Sequence, residues 1–238
     1  MQNKSNKLTK IYHSLLKVYG EQGWWPIYFD DDRVKKKTGY HQGDYSYPKD
    51  DLQKMEICIG SILTQNTNWN NVKLALDALN QHNFLNVDKI LQSPQEKIAR
   101  LIKSAGYFNQ KSQYLKNLAD FIAKNPFSEL EKLNKDSIRH KLLKVKGIGF
   151  ETADCILLYA LNKPSFVVDA YTKRILSNLK LIKMEYNYQK VQKIIEDSLE
   201  NDLILYQEFH ALFVMHGKTH YQKKPYQIKD QLLTDGLI

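Results

Sequence analysis

Leu142-Leu-Lys-Val-Lys-Gly147-Ile-Gly149-Phe-Glu-Thr-Ala-Asp-Cys-Ile-Leu-Leu-Tyr-Ala160 is the stretch on which the fold turns. An apolar helix end runs into a Gly-x-Gly turn, and a second apolar helix leaves it. The glycines permit a tight reversal and let the first amides of the second helix approach an anion such as a phosphate, which the helix dipole also favours. A helix C-cap followed by an unrelated helix would use the same glycines, so the turn alone does not settle a function. Eighteen residues past Glu151 stands Asp169, in Phe166-Val-Val-Asp-Ala-Tyr-Thr-Lys-Arg-Ile175, where an extended piece becomes a helix. Aspartate at that place is an N-cap. The helix start also favours its ionised form, the form that can steady positive charge on a sugar or activate water. The two roles are compatible.

Outward from this stretch the apolar residues recur at intervals of three and four, as in Leu8, Ile11, Tyr12, Leu15, Leu16 and Tyr19. That spacing predicts amphipathic helices, here over 51–64, 70–79, 94–103, 109–124, 137–145, 150–161, 170–179, 188–199 and 205–219. Alternating segments are scarce. The one apolar extended piece, 166–168, follows Pro164, so the fold is expected to be all-α. Between Phe29 and Asp50 the hydrophobic period is lost in Asp30-Asp31-Asp32, Lys35-Lys36-Lys37 and a Gly, Tyr and Ser mixture, which predicts a surface loop or insertion over 30–47. The last stretch, 221–238, is expected to end in a short helix or a frayed tail.

The 238 residues are 42% apolar, enough for one substantial core or two modest ones. Lysine plus arginine (35) less aspartate plus glutamate (26) leaves +9, a balance that favours a polyanionic partner. Cys58 and Cys155 lie far apart with no C-x-x-C, which argues against a disulfide framework or a zinc finger and for a reducing compartment. Apolar runs are too short for a membrane span, so a cytoplasmic protein is expected.

Beside Val145-Lys-Gly-Ile-Gly149 and Val167-Val-Asp-Ala-Tyr171 the chain carries Trp24-Trp25-Pro26, Gly60-Ser-Ile-Leu-Thr-Gln-Asn-Thr67, Gly106-Tyr-Phe-Asn-Gln-Lys111 and His210-Ala-Leu-Phe-Val-Met-His-Gly-Lys218. In this order, from about Tyr12 to Pro225, the motifs resemble the helix-hairpin-helix DNA glycosylase superfamily, and within it the endonuclease III branch. The resemblance implies a two-lobed all-α fold. Residues 50–165 would form a six-helix barrel lobe with its hairpin at 143–160, and residues 1–49 plus 166–238 a second helical lobe. Double-stranded DNA with a damaged base would be the partner, the nucleotide turned out of the duplex and Asp169 catalytic.

Two departures shape the expected chemistry. Bifunctional members carry a lysine in the hairpin helix that forms a Schiff base with the sugar, whereas this chain has Glu151 there, and a carboxylate cannot form that imine. Hydrolysis would then stop at an abasic site. Many relatives also hold an iron–sulfur cluster on four cysteines after a His-Gly-Lys stretch; here Tyr221, Tyr226, Gln227 and Asp230 fall in that region and none supplies a thiolate. The second lobe would be held by packing or polar contacts, with no cofactor and at most a monovalent cation at the hairpin.

Trp24, Trp25, Pro26, Trp69 and Glu151 resemble the base pocket of the endonuclease III-like 3-methyladenine glycosylases. Indole faces and a carboxylate would prefer a cationic alkylated purine over a neutral base. One or both of Trp24 and Trp25 could equally plug the gap between the lobes. Gln65 would enter the space left by the flipped nucleotide and Tyr107 would wedge into the stack, unless it is an ordinary half-buried tyrosine. Further DNA contacts are expected at Asn66, Asn109, Lys111, Lys146, Gly147, Gly149, Thr152, Lys173 and Arg174, with a solvated helix face the plain alternative for the charged ones. A bifunctional glycosylase/lyase for oxidised pyrimidines and a non-catalytic DNA-binding module stand as the other readings. The protein would act as a monomer, nucleoid-associated if bacterial.

Overall fold

The computed structural model describes residues 2–28, 39–223 and 230–234. In chain order its α-helices are α1 (Gln2–Tyr19), α2 (Asp51–Leu63), α3 (Trp69–Gln81), α4 (Val87–Gln92), α5 (Gln95–Leu101), α6 (Phe108–Lys124), α7 (Phe127–Leu130), α8 (Lys135–Leu142), α9 (Phe150–Cys155), α10 (Ala170–Asn178), α11 (Tyr188–Glu196), α12 (Leu203–His220) and α13 (Gln231–Thr234). A short 3-10 turn covers Lys103–Ala105, and a π turn at Ile156–Ala160 continues α9. Among the described residues there is no strand, only an isolated bridge between Ile27 and Gly39. The fold is all-α, as the periodicity predicts.

Asn and Asp side chains start most of these helices: Asp50 accepts from the amide of Gln53, Asn68 from Asn71, Asn134 from Ser137, Asn187 from Lys190 and Asp202 from Leu205. Each such cap stabilises by about 1 kcal/mol. The helices α4 and α7 span six and four residues, too few to show a period in the sequence.

The chain divides into two compact units. One comprises Trp25–Tyr40 and Ser46–Lys163. Its centre is α2, where Met55, Ile57, Cys58, Ile59, Ile62 and Leu63 are all buried along with Gln53, Glu56 and Ser61, so other helices cover it on nearly every side. The Ile156–Ala160 turn packs against it. Cys58 and Cys155 are both buried in this unit and neither is in a disulfide.

The other unit comprises Met1–Trp24, His41–Tyr45 and Pro164–Ile238. Phe209 and Phe213 stack at 4.3 Å and Phe166 meets Tyr206 and Phe209 edge-on, an aromatic core on which α1 lays Leu8, Ile11 and Leu15. Residues 166–168 are extended but join no sheet; α11 serves them instead. The Phe166 amide donates to Glu196, Gln192 donates to the Phe166 carbonyl, and the Val168 amide donates to the Tyr188 hydroxyl. Buried backbone groups need partners, and side chains supply them here in place of a neighbouring strand.

Half of the insertion expected over 30–47, residues 30–38, lies outside the described residues. Its last part is not a free surface loop: His41 and Tyr47 are buried, and the His41 amide donates to the Gly23 carbonyl.

Candidate active site

Asp169 caps α10. Thr172 donates to its Oδ1 from both the backbone amide and the hydroxyl, each at 2.7 Å. Both bonds fall on one oxygen, which fixes the carboxylate plane and leaves Oδ2 directed elsewhere. The neighbouring helix comes unusually close: a Cβ on Gly217 of α12 would stand 2.4 Å from the Tyr171 ring. Only a glycine allows this approach, and it sets the far end of α12 beside the start of α10.

Three side chains of the same unit share that neighbourhood. His210 is buried, and Trp24 meets its ring edge-on at 5.7 Å with planes at 88°. The Lys218 ammonium stands over the Trp24 ring, 5.7 Å from the centroid. Desolvation lowers the pKa of Lys218, and the Asp169 carboxylate opposes that shift. Burial pushes His210 down to about 4, again with Asp169 opposing and Lys218 adding to the fall. The ring is therefore a neutral imidazole at physiological pH. The loop that carries Trp24 is clamped to α12 by Glu208, whose two oxygens accept from the amides of Gln22 (2.8 Å) and Gly23 (3.1 Å).

The depressed His210 predicts a pH dependence of stability. Its folded pKa lies below the unfolded value of 6.5, so below that value the unfolded chain takes up a proton that the folded chain refuses. The contribution is present above 6.5 and is lost as pH falls towards 4. Urea unfolding at about pH 7 and about pH 5 should show a loss from this group of roughly 2 kcal/mol that disappears in His210→Asn. An unchanged gap in the variant would contradict it.

The other unit holds the remaining expected pocket residues, Trp25, Pro26, Trp69 and Glu151. Trp25 is only 4% exposed and packs against Trp69 at 5.5 Å and Tyr159 at 5.4 Å. Pro26 is buried beside it, and Trp69 is half-buried with its indole N–H 3.3 Å from the Tyr28 hydroxyl. Of the two adjacent tryptophans, Trp25 fills the core and Trp24 is the partly exposed one. Glu151 is exposed on the first turn of α9.

The hairpin forms as its sequence implies. Gly147 has φ +106° and lies so close to Tyr114 that an added Cβ would sit 2.2 Å from the ring. Gly149 has open space around its Cα and caps α9 in an extended conformation. Lys146 is exposed. Gln65 is engaged within the unit: its amide donates to the Gly147 carbonyl and to the buried Thr152 hydroxyl, both at 3.0 Å, which ties the Gln65 turn to the hairpin. Asn66, Tyr107 and Asn109 are exposed, and Asn66 and Tyr107 both have left-handed backbones, φ 54° and 47°.

Three expected phosphate contacts are committed elsewhere. Lys111 is 2% exposed, with its amine on the carbonyls of Leu63 and Ala105. The Lys173 amine donates to the Tyr186 carbonyl, and Arg174 donates to the Tyr221 carbonyl and lies over the Tyr171 ring. In each case a nearby carbonyl at hydrogen-bonding distance takes a cation that sequence alone would place in solvent.

The region where relatives place sulfur ligands carries a buried polar network. His216 Nε2 donates to Asp230 Oδ2 at 2.7 Å, Tyr221 donates to the same oxygen at 2.8 Å, and Asn178 donates to the Tyr221 hydroxyl. Burial alone would raise the Asp230 pKa, but the bonds from His216 and Tyr221 carry it below the ordinary value. Because the carboxylate can only accept, Nε2 carries a proton, and Nδ1 lies 2.9 Å from the Tyr19 hydroxyl. An oxygen and imidazole set of this kind does not fit an iron–sulfur cluster, which needs thiolates. Tyr226 and Gln227 lie outside the described residues.

Sequence reading assigned no role to His210, Lys218 or Glu208. The signal was a Glu and a His two residues apart inside the largely apolar run 203–214, where a buried polar group must have a partner.

Comparisons with known proteins give the family of the fold. Residues 59–201 match the model of the HhH-GPD superfamily of base excision DNA repair proteins. A Methanocaldococcus jannaschii protein named "Putative DNA repair glycosylase MJ1434" is 41% identical over 227 residues, covering 94% of this chain and 92% of the relative. The structure of the Helicobacter pylori 3-methyladenine DNA glycosylase MagIII bound to 1,N6-ethenoadenine is 29% identical with a TM-score of 0.66, covering 92% of this chain and 98% of the other. An endonuclease III–DNA complex shares the fold at 16% identity, with a TM-score of 0.71 over 97% of this chain and 94% of the other. The chain belongs to the HhH-GPD superfamily of base excision DNA repair proteins and is a DNA glycosylase of that superfamily.

Proposed function

We propose that this glycosylase, acting as a monomer, hydrolyses the N-glycosidic bond of a flipped alkylated purine such as 3-methyladenine and leaves an abasic site. The observation that carries the reading is Glu151 on the first turn of the hairpin helix, where a lyase of this fold needs an amine. The substrate class is supported by Trp24. This partly exposed residue already attracts one cation to its ring, the Lys218 ammonium, and a purine methylated at N3 or N7 carries the same charge on a flat surface. The likeness to a 3-methyladenine glycosylase points the same way.

As the C1′–N bond lengthens, its electron pair goes to the departing base, which leaves neutral and needs no strong general acid. Positive charge develops on the deoxyribose. Asp169 Oδ2 faces that charge while Oδ1 stays bonded to Thr172, so the carboxylate is aligned before the reaction begins. Water then adds at C1′ and loses a proton, completing hydrolysis.

A panel of oligonucleotides carrying single alkylated, oxidised or deaminated bases, quenched with and without alkali, tests both halves of the reading. Methylated purines should yield products that cleave only after alkali, and borohydride should trap no covalent adduct. Strand cleavage without alkali together with a trapped adduct would make it a lyase. Salt-sensitive binding with no abasic product from any lesion would make it a non-catalytic binder.

A further inference from the structure

Two exposed turns in the same unit have unusual backbones. Asn66 follows Gln65 just past the end of α2, and Tyr107 follows the Lys103–Ala105 turn; both non-glycine residues hold positive φ. Asparagine tolerates that region, but for a tyrosine it is a strained conformation, and this tyrosine is also 66% exposed. An aromatic ring held out in solvent on a strained backbone gains nothing from burial and is placed for contact with something else.

Between these turns lies Lys111. Its amine donates to the carbonyl of Leu63 at 2.8 Å and to that of Ala105 at 2.9 Å. Leu63 is the last residue of α2, two before Gln65, and Ala105 is two before Tyr107. The negative end of α2 favours a cation here. Burial pushes the amine down to about 8, which still leaves it mainly protonated at neutral pH. A buried lysine costs free energy that an apolar residue would not, so the position is poorly explained by packing alone.

We infer that Lys111 is a positioning residue that yokes the Gln65–Asn66 turn to the Gly106–Tyr107 turn, so that both enter a duplex in fixed register around the extruded nucleotide. The inference rests on the reading that these two turns penetrate DNA. One ammonium spans the two carbonyls, and a shift of either turn would break one of its bonds. Loss of the yoke should therefore disturb nucleotide extrusion, a step that depends on the relative placement of two groups, more than it disturbs binding to undamaged DNA.

A matched control exists on the same helix. The Lys116 amine donates to the carbonyls of Ile90, Leu91 and Ser93 at the end of α4, and it touches neither turn. Lys111→Met, Lys116→Met and Tyr107→Ala would be compared by 2-aminopurine fluorescence beside the lesion, by single-turnover base release and by thermal melting. The expected result is a loss of the unstacking signal and a fall of about tenfold or more in release for Lys111→Met and for Tyr107→Ala. Lys116→Met should lower the melting temperature with the unstacking signal intact. Equal effects of the two lysine variants on fluorescence, or none from Lys111→Met, would overturn the yoke. An unchanged signal in Tyr107→Ala would overturn the penetrating turns themselves, and the yoke with them. If Lys111→Met does not fold, Lys111→Gln, which keeps a donor but cannot span both carbonyls, takes its place under the same outcomes.

Discussion

Asp169→Asn should slow single-turnover release of 3-methyladenine from duplex DNA by a factor of about 10² to 10⁴ while the melting temperature stays within about a degree of wild type. The two halves of this expectation come from different atoms. Asparagine is as good an N-cap as aspartate, and its side-chain oxygen can accept from the Thr172 amide and hydroxyl as Oδ1 does now, so α10 keeps its start. What disappears is the negative charge, which the proposed mechanism uses against the developing oxocarbenium-like centre. Asp169→Ala is a poorer probe because it also removes the cap, at about 1 kcal/mol. DNA affinity measured by anisotropy should change little, since in the proposed reaction the carboxylate acts on the sugar and makes no phosphate contact. Undiminished release in the Asn variant would end the catalytic assignment, whatever the lesion.

The outline of the fold is written in local patterns. The Gly147 and Gly149 turn, the Asp169 cap and the helical periods each depend on neighbours within a few residues, and the structure has all of them in place. What the sequence hides depends on distant partners. Lys111, Lys173 and Arg174 look alike as charges, and only the positions of the Leu63, Ala105, Tyr186 and Tyr221 carbonyls decide that each is engaged inside its unit. Trp24 and Trp25 are adjacent and chemically identical, yet Trp25 is enclosed by Trp69 and Tyr159 while Trp24 leans on His210. The missing cysteines were legible at once, whereas the His216, Asp230 and Tyr221 network in their region was not, because three unlike side chains at irregular spacing form no motif.

Arg139→Ala should destabilise the protein by about 3–5 kcal/mol in urea unfolding, the largest effect expected of any single surface-reaching side chain here. Arg139 on α8 grips Asp154 on α9 through two parallel bonds, Nε to Oδ1 at 2.7 Å and Nη2 to Oδ2 at 2.8 Å, and Asp154 is 0% exposed. The guanidinium also lies over the Phe150 ring, 5.1 Å from its centroid. These contacts close the hairpin from behind, so the turn at Gly147 is held by the same pair that holds the two helices. Removing the arginine leaves a carboxylate in a dry interior without its bidentate partner, and the cost is mainly that burial penalty rather than the lost attraction. For that reason Arg139→Met combined with Asp154→Leu should recover most of the stability, although neither change alone would. Recovery of stability without recovery of DNA affinity in the double variant would show that the hairpin needs the geometry of the pair and not only its packing. A loss of less than about 1 kcal/mol in Arg139→Ala would mean that water reaches Asp154 once the arginine is gone, and that the hairpin is held by its apolar contacts alone.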